Sequence, residues 1–166
     1  RARQAGLPWA SYGIESRVLS VLVRYQRGEW DESLAHACVD GEAPSPLAEA
    51  MITAAGLAVH AGRGNLEALE LLPSLQSWSR RESMVAAQVT TAADLYVHAG
   101  QPERGLQLLD DIVEELTDLW QTPLIPPQIR ISALALAALS ATIPDLPQTG
   151  RVAAVKRGAG YMSAAG

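Results

Sequence analysis

The 166-residue chain has no Phe, one Cys and only 5% aromatic residues, and each scarcity excludes something. Few aromatics beside abundant Ala and Leu disfavour a β-sandwich and favour helices packed closely through small side chains. Cys38 has no second Cys to form an internal disulfide, and no Cys/His spacing resembles a zinc site, so nothing calls for an oxidising compartment and the expected location is cytoplasmic. Clustered Lys and Arg are also missing: with a formal charge of −5 and a pI of about 5.1, a groove tracking a nucleic-acid backbone is not expected. Arg80-Arg81 and Lys156-Arg157 read as solvated helix ends. No apolar run approaches the roughly 20 residues that span a bilayer. The longest, 131–143, reads as a buried helix.

What is present suffices for a core. The chain is 48% hydrophobic and 19% charged, which excludes wholesale disorder and predicts an all-α fold. It begins at Arg1 with no charged-then-apolar leader, and the expectation is a part of a longer protein.

Self-similarity organises the rest. Val21-Leu22-Val23-Arg24-Tyr25-Gln26-Arg27-Gly28 lines up with Leu57-Ala58-Val59-His60-Ala61-Gly62-Arg63-Gly64, 36 positions on, and then with Leu95-Tyr96-Val97-His98-Ala99-Gly100-Gln101-Pro102, a further 38 on. The last two share the tetrapeptide Val-His-Ala-Gly. An acidic or polar start to a second helix follows each segment, so each unit reads helix, Gly turn, helix. Apolar spacing and breakers predict first helices over 14–27, 46–61 and 79–99, a strongly apolar helix over 128–142 after the Pro123, Pro126 and Pro127 break, and a last helix over 149–164 weakened by Gly158 and Gly160. Pro73 is expected to shorten or kink the fourth helix. The predicted fold is an α-solenoid of about four antiparallel helix pairs. Its parts are a linker or cap at 1–13, three pairs over 14–122 and a degenerate fourth over 123–166.

The third unit resembles a tetratricopeptide repeat at Ala93, Tyr96, Gly100 and Gly105, with Val89 where that family usually carries a large aromatic. Over nearly the whole chain, the run Ala5-Gly6-Leu7-Pro8-Trp9-Ala10-Ser11-Tyr12-Gly13-Ile14-Glu15, then Arg27-Gly28-Glu29-Trp30, Ala61-Gly62-Arg63-Gly64 and Ala99-Gly100-Gln101-Pro102-Glu103-Arg104, resembles the helical-repeat region of large actinobacterial LuxR-family regulators. That resemblance implies a sensor region between a signal-transducing ATPase module and a DNA-binding helix-turn-helix. This chain has neither a phosphate-binding Gly-Lys-Ser/Thr loop nor a basic recognition helix, so neither ATP hydrolysis nor direct nucleic-acid contact is assigned to it.

Residues able to carry chemistry read mostly as structure. His60 and His98 match when the two tetrapeptides are aligned. Neighbouring helices lie about 8–10 Å apart and no third ligand is evident, so both read as helix-end caps, not metal ligands. Cys38 has no base beside it and reads as a small, partly buried apolar residue. Asp110, Asp111, Glu114 and Glu115 read as a solvated face. Leu146-Pro147-Gln148-Thr149-Gly150 matches a sortase signal, but no apolar span follows it, and it reads as a turn before a helix. Trp30 and Trp120 read as packing between helix pairs.

No catalytic residue, cofactor or metal is expected. In such a stack the first helices line a concave face, where Tyr25, His60, Gln88 and Asp94 are the candidate binding residues. Its occupant is another domain of the parent protein, a protein or peptide partner, or a small effector. The other functional class that fits is a scaffold for homo-oligomerisation or domain spacing.

Overall fold

The computed structural model describes residues 9, 11–122 and 125–165; most of the expected 1–13 cap, with the start of the run that carries the regulator resemblance, and Pro123 and Leu124 of the proline break lie outside them. Among the described residues the chain is all-helical, with no strand. In order come α1 (Ser11–Gln26), α2 (Trp30–Ala37), α3 (Pro46–Gly62), a 3-10 segment (Leu66–Leu71) running into α4 (Leu72–Ser79), α5 (Ser83–Val89), α6 (Ala92–His98), α7 (Pro102–Trp120), α8 (Gln128–Thr142), a 3-10 turn (Ile143–Asp145) and α9 (Gln148–Ala165).

The same helix stop occurs three times. Gly28, Gly64 and Gly100 adopt φ of +78°, +64° and +69°. Each closes a Schellman motif, satisfying carbonyls that the helix end leaves free. Glu29 N–H donates to Arg24 O at 2.9 Å and Gly28 N–H to Tyr25 O at 3.0 Å; Asn65 to His60 and Gly64 to Ala61, then Gln101 to Tyr96 and Gly100 to Val97, repeat the pair. Three-residue connections then turn the chain back, and such short links make successive helices antiparallel.

This geometry corrects the register of the repeat. The turn glycines are spaced 36 and 36, not 36 and 38, and the elements beginning at Trp30, Leu66 and Pro102 keep the same period. The two Val-His-Ala-Gly tetrapeptides are therefore offset by two positions, and His60 corresponds to Tyr96, not to His98. Their glycines serve different needs. Gly100 supplies the left-handed backbone, whereas Gly62 ends α3 beneath Trp30, where a Cβ would lie 3.2 Å from Cη2 of the indole.

A second correction concerns 79–99, which is not one helix. Ser79 closes α4, and Glu82 starts α5 by accepting from Met84 N–H at 3.1 Å. Between α5 and α6 the backbone tightens to i→i+3 bonds, with Thr91 donating to Gln88 O and Ala93 to Thr90 O, both at 3.1 Å. Thr90 also returns its hydroxyl to Ala87 O at 2.7 Å, the back-bonding by which β-branched hydroxyl residues disturb helices. The second pair is irregular at Pro73, which stands at the start of α4 where the 3-10 segment gives way to α-helix.

Within a pair, helices cross at a small residue. Buried Ser33 of α2 donates its hydroxyl to Val21 O of α1 at 2.8 Å. One period pair later, Gly105 of α7 faces Ala93 O, which a Cβ would approach to 3.0 Å. The corresponding residue of the second pair is Leu69, too large for that approach, and there the chain is 3-10. Between pairs, first helices pack on one another: α1 on α3, α3 on α5 and α6, and α6 on α8. The second helices α4 and α7 are instead separated by an open cleft of about 750 Å³. The buried core runs along the first helices, through Val18, Val21, Ile52, Leu57, Val85, Leu95 and Ile131. α9 continues through Gly158 and Gly160, and Gly158 lets it approach Leu136 of α8.

Candidate functional site

The polar residues of the first helices converge on one that sequence reasoning passed over. Arg130 is the sole charged residue of α8, and its half-buried guanidinium reaches back to the joint of α5 and α6. There Nη1 donates to Gln88 Oε1 at 3.5 Å, the long limit of a hydrogen bond, and Nη2 donates to Thr91 Oγ1. Burial lowers the Arg130 pKa, and the nearby Tyr25 and Asp94 oppose that shift. Of the four expected residues, Gln88 thus bonds to this cation and Asp94 acts on it electrostatically.

Local structure explains the convergence. Gln88, Thr91, Asp94 and His98 recur every three or four positions and line one side of α5 and α6. Half-buried Asp94 has its carboxyl pKa raised by burial, against the attraction of His98 and Arg130. Tyr25 arrives from the end of α1, its ring stacked on Trp30 with centroids 6.0 Å apart and planes inclined by 21°. Trp30 also donates Nε1–H to Tyr25 O at 3.2 Å, and Arg63 lies over its indole. Trp30 therefore joins the first two pairs, as its sequence position predicted, while partly buried Trp120 packs on the core.

His60 takes no part in this convergence. Its Nδ1 lies 3.2 Å from Asn65 Nδ2 across its own turn, with Asn65 donating to neutral imidazole. Burial, helped by Arg63, lowers its pKa. Asn65 also accepts from Glu67 N–H at 3.2 Å, so it ties the end of α3 to the segment that follows.

Two other expectations are corrected. Cys38 is exposed, not partly buried; α2 ends beside it, and Arg17 holds that end by donating to His36 O at 2.8 Å and to Glu42 at 3.0 Å. The acidic residues of α7 are not simply a solvated face. Glu115 accepts from the buried Ser79 hydroxyl at 2.6 Å and from Arg80 Nε at 3.4 Å, bridging α4 and α7 across the cleft. Asp110 accepts from Tyr161 Oη at 2.6 Å and pairs with Arg157, tethering α9. The Tyr161 pKa is pushed up to about 12, first by burial and then by Asp110.

Among the described residues no His, Cys, Asp and Glu group is arranged to hold a metal ion, and no helix is long and apolar enough to cross a membrane. Comparison with protein-family models, curated proteins and solved structures found no match.

Proposed function

We propose that the chain is a tetratricopeptide-like helical-repeat module whose first helices form a concave binding face, without catalysis of its own. The observation that carries this reading is the bonding of Arg130 of α8 to Gln88 of α5 and to Thr91, beside Asp94 of α6, which gathers polar residues of successive first helices on one side. First helices in contact, with second helices parted at the α4–α7 cleft, support curvature toward that side. Sequence resemblance supports a cytoplasmic LuxR-family regulator as the parent, with this module receiving a partner domain, a peptide or a small effector.

Titration calorimetry of the chain against the parent's other domains and a panel of effectors tests the reading. Saturable binding lost on Tyr25→Ala or Gln88→Ala is expected. Binding that survives both but is lost on Glu114→Ala or Asp118→Ala, in the opposite cleft, would contradict it.

A scaffold role is the second reading, favoured by apolar stripes on the end helices. Tyr12, Leu19 and Val23 are exposed along α1, and Val152, Val155 and Met162 along α9. It predicts a defined oligomer in sedimentation and no saturable small-molecule binding.

A further inference from the structure

We infer that Arg130, anchored by Thr91, forms an oxyanion-binding site on the concave face, taking a carboxylate or phosphate group of the ligand. This deepens the reading of that face as a binding surface and rests on it.

A guanidinium offers five N–H donors in a planar fork suited to two oxygens of one anion. Arg130 directs donors to only two neutral acceptors, the distant Gln88 amide oxygen and the Thr91 hydroxyl, and among the described residues no carboxylate pairs with it within 4.0 Å. A cation half removed from water without a counter-ion is unfavourable. The other described arginines with carboxylate partners, Arg17, Arg24, Arg27, Arg63, Arg80 and Arg157, show that this chain supplies such partners elsewhere.

Asp94, the acid that acts electrostatically on Arg130, is poorly fitted to serve. It makes no ion pair with Arg130, and its own burial disfavours the carboxylate form. Thr91 accepts from the guanidinium and anchors it, leaving the remaining donors of Arg130 unused.

Nitrogen-15 NMR of the whole chain at constant ionic strength, titrated separately with inorganic phosphate and with succinate, tests this. The expected result is a saturable shift of the Arg130 Nε–Hε signal and of the amides at 88–94. Arg130→Gln should weaken binding at least about tenfold, as loss of a charge-assisted hydrogen bond implies. Arg130→Lys, which keeps charge but loses the fork, should weaken it less, and Asp94→Asn should tighten it severalfold by removing a like charge. The stronger of the two probes identifies phosphate or carboxylate as the source of the oxyanion.

A shift that only follows ionic strength, or that persists in a folded Arg130→Gln chain, overturns the anion site. So does weaker binding in Asp94→Asn, which would make Arg130 and Asp94 a structural pair. Loss of partner binding in Tyr25→Ala alongside a null anion titration refutes the oxyanion assignment while leaving the concave-face reading standing. Intact partner binding in Tyr25→Ala and Gln88→Ala, with anions still bound at Arg130, fails the face and keeps the site.

Discussion

Glycines in this chain do three different jobs, and substitution by Ala separates them. Gly100 has open space around its absent Cβ but a left-handed backbone, so Gly100→Ala should cost about 1–2 kcal/mol through backbone strain. Gly105 has helical backbone but faces Ala93 O at contact distance, so Gly105→Ala should cost about 1–3 kcal/mol through overpacking at the α6–α7 crossing. Gly160 has neither constraint in exposed α9, and Gly160→Ala should stabilise by about 0.5–1 kcal/mol. Urea unfolding midpoints read all three. Asp94 and His60 give pH signatures of opposite slope. A carboxyl whose folded pKa is raised above 3.8 loses stability as pH rises through that window and stays penalised above it. Asp94→Asn should therefore raise the midpoint at pH 7, with the gain shrinking as pH falls toward 3.8. An imidazole whose folded pKa is lowered from 6.5 loses stability as pH falls below 6.5. Relative to His60→Gln, the natural chain should become less stable in that acid range.

At the scale of elements, legibility followed local chemistry. α8 was bounded at the residues expected, because prolines flank an unbroken apolar run there; α1, α3 and α9 differ from expectation by a few end residues. The 79–99 stretch defeated periodicity because α5 and α6 keep one apolar face, so the Thr90-Thr91 pinch leaves the pattern of Val85, Val89, Ala92 and Tyr96 intact. The repeat register was missed because a shared tetrapeptide outweighed the requirement for positive φ, which only the backbone displays. α7 ends with Gln121 at φ +52°, where a side chain is strained. Gln121→Gly should stabilise by roughly 1 kcal/mol, read by the same unfolding assay. Tyr161→Phe should leave the stack folded but speed amide exchange across α9, since it removes the hydroxyl bond to Asp110.

For the whole molecule, the centre of the polar cluster was not legible. The expected residues Gln88 and Asp94 lie beside Arg130, which was overlooked, and His60 serves its own turn. The available signal was a lone Arg in an otherwise uncharged helix; which side of the neighbouring α5 and α6 it faces is set by how the helices pack, and no local pattern encodes that. The central claim is that function resides on this inner face, and it is tested most directly by the regulated output of the parent protein carrying substitutions on one face at a time. Tyr25→Ala with Arg130→Gln should abolish the response to its signal, while Glu114→Ala with Asp118→Ala should leave it intact. The reverse outcome, in proteins equally abundant and folded, would contradict the account.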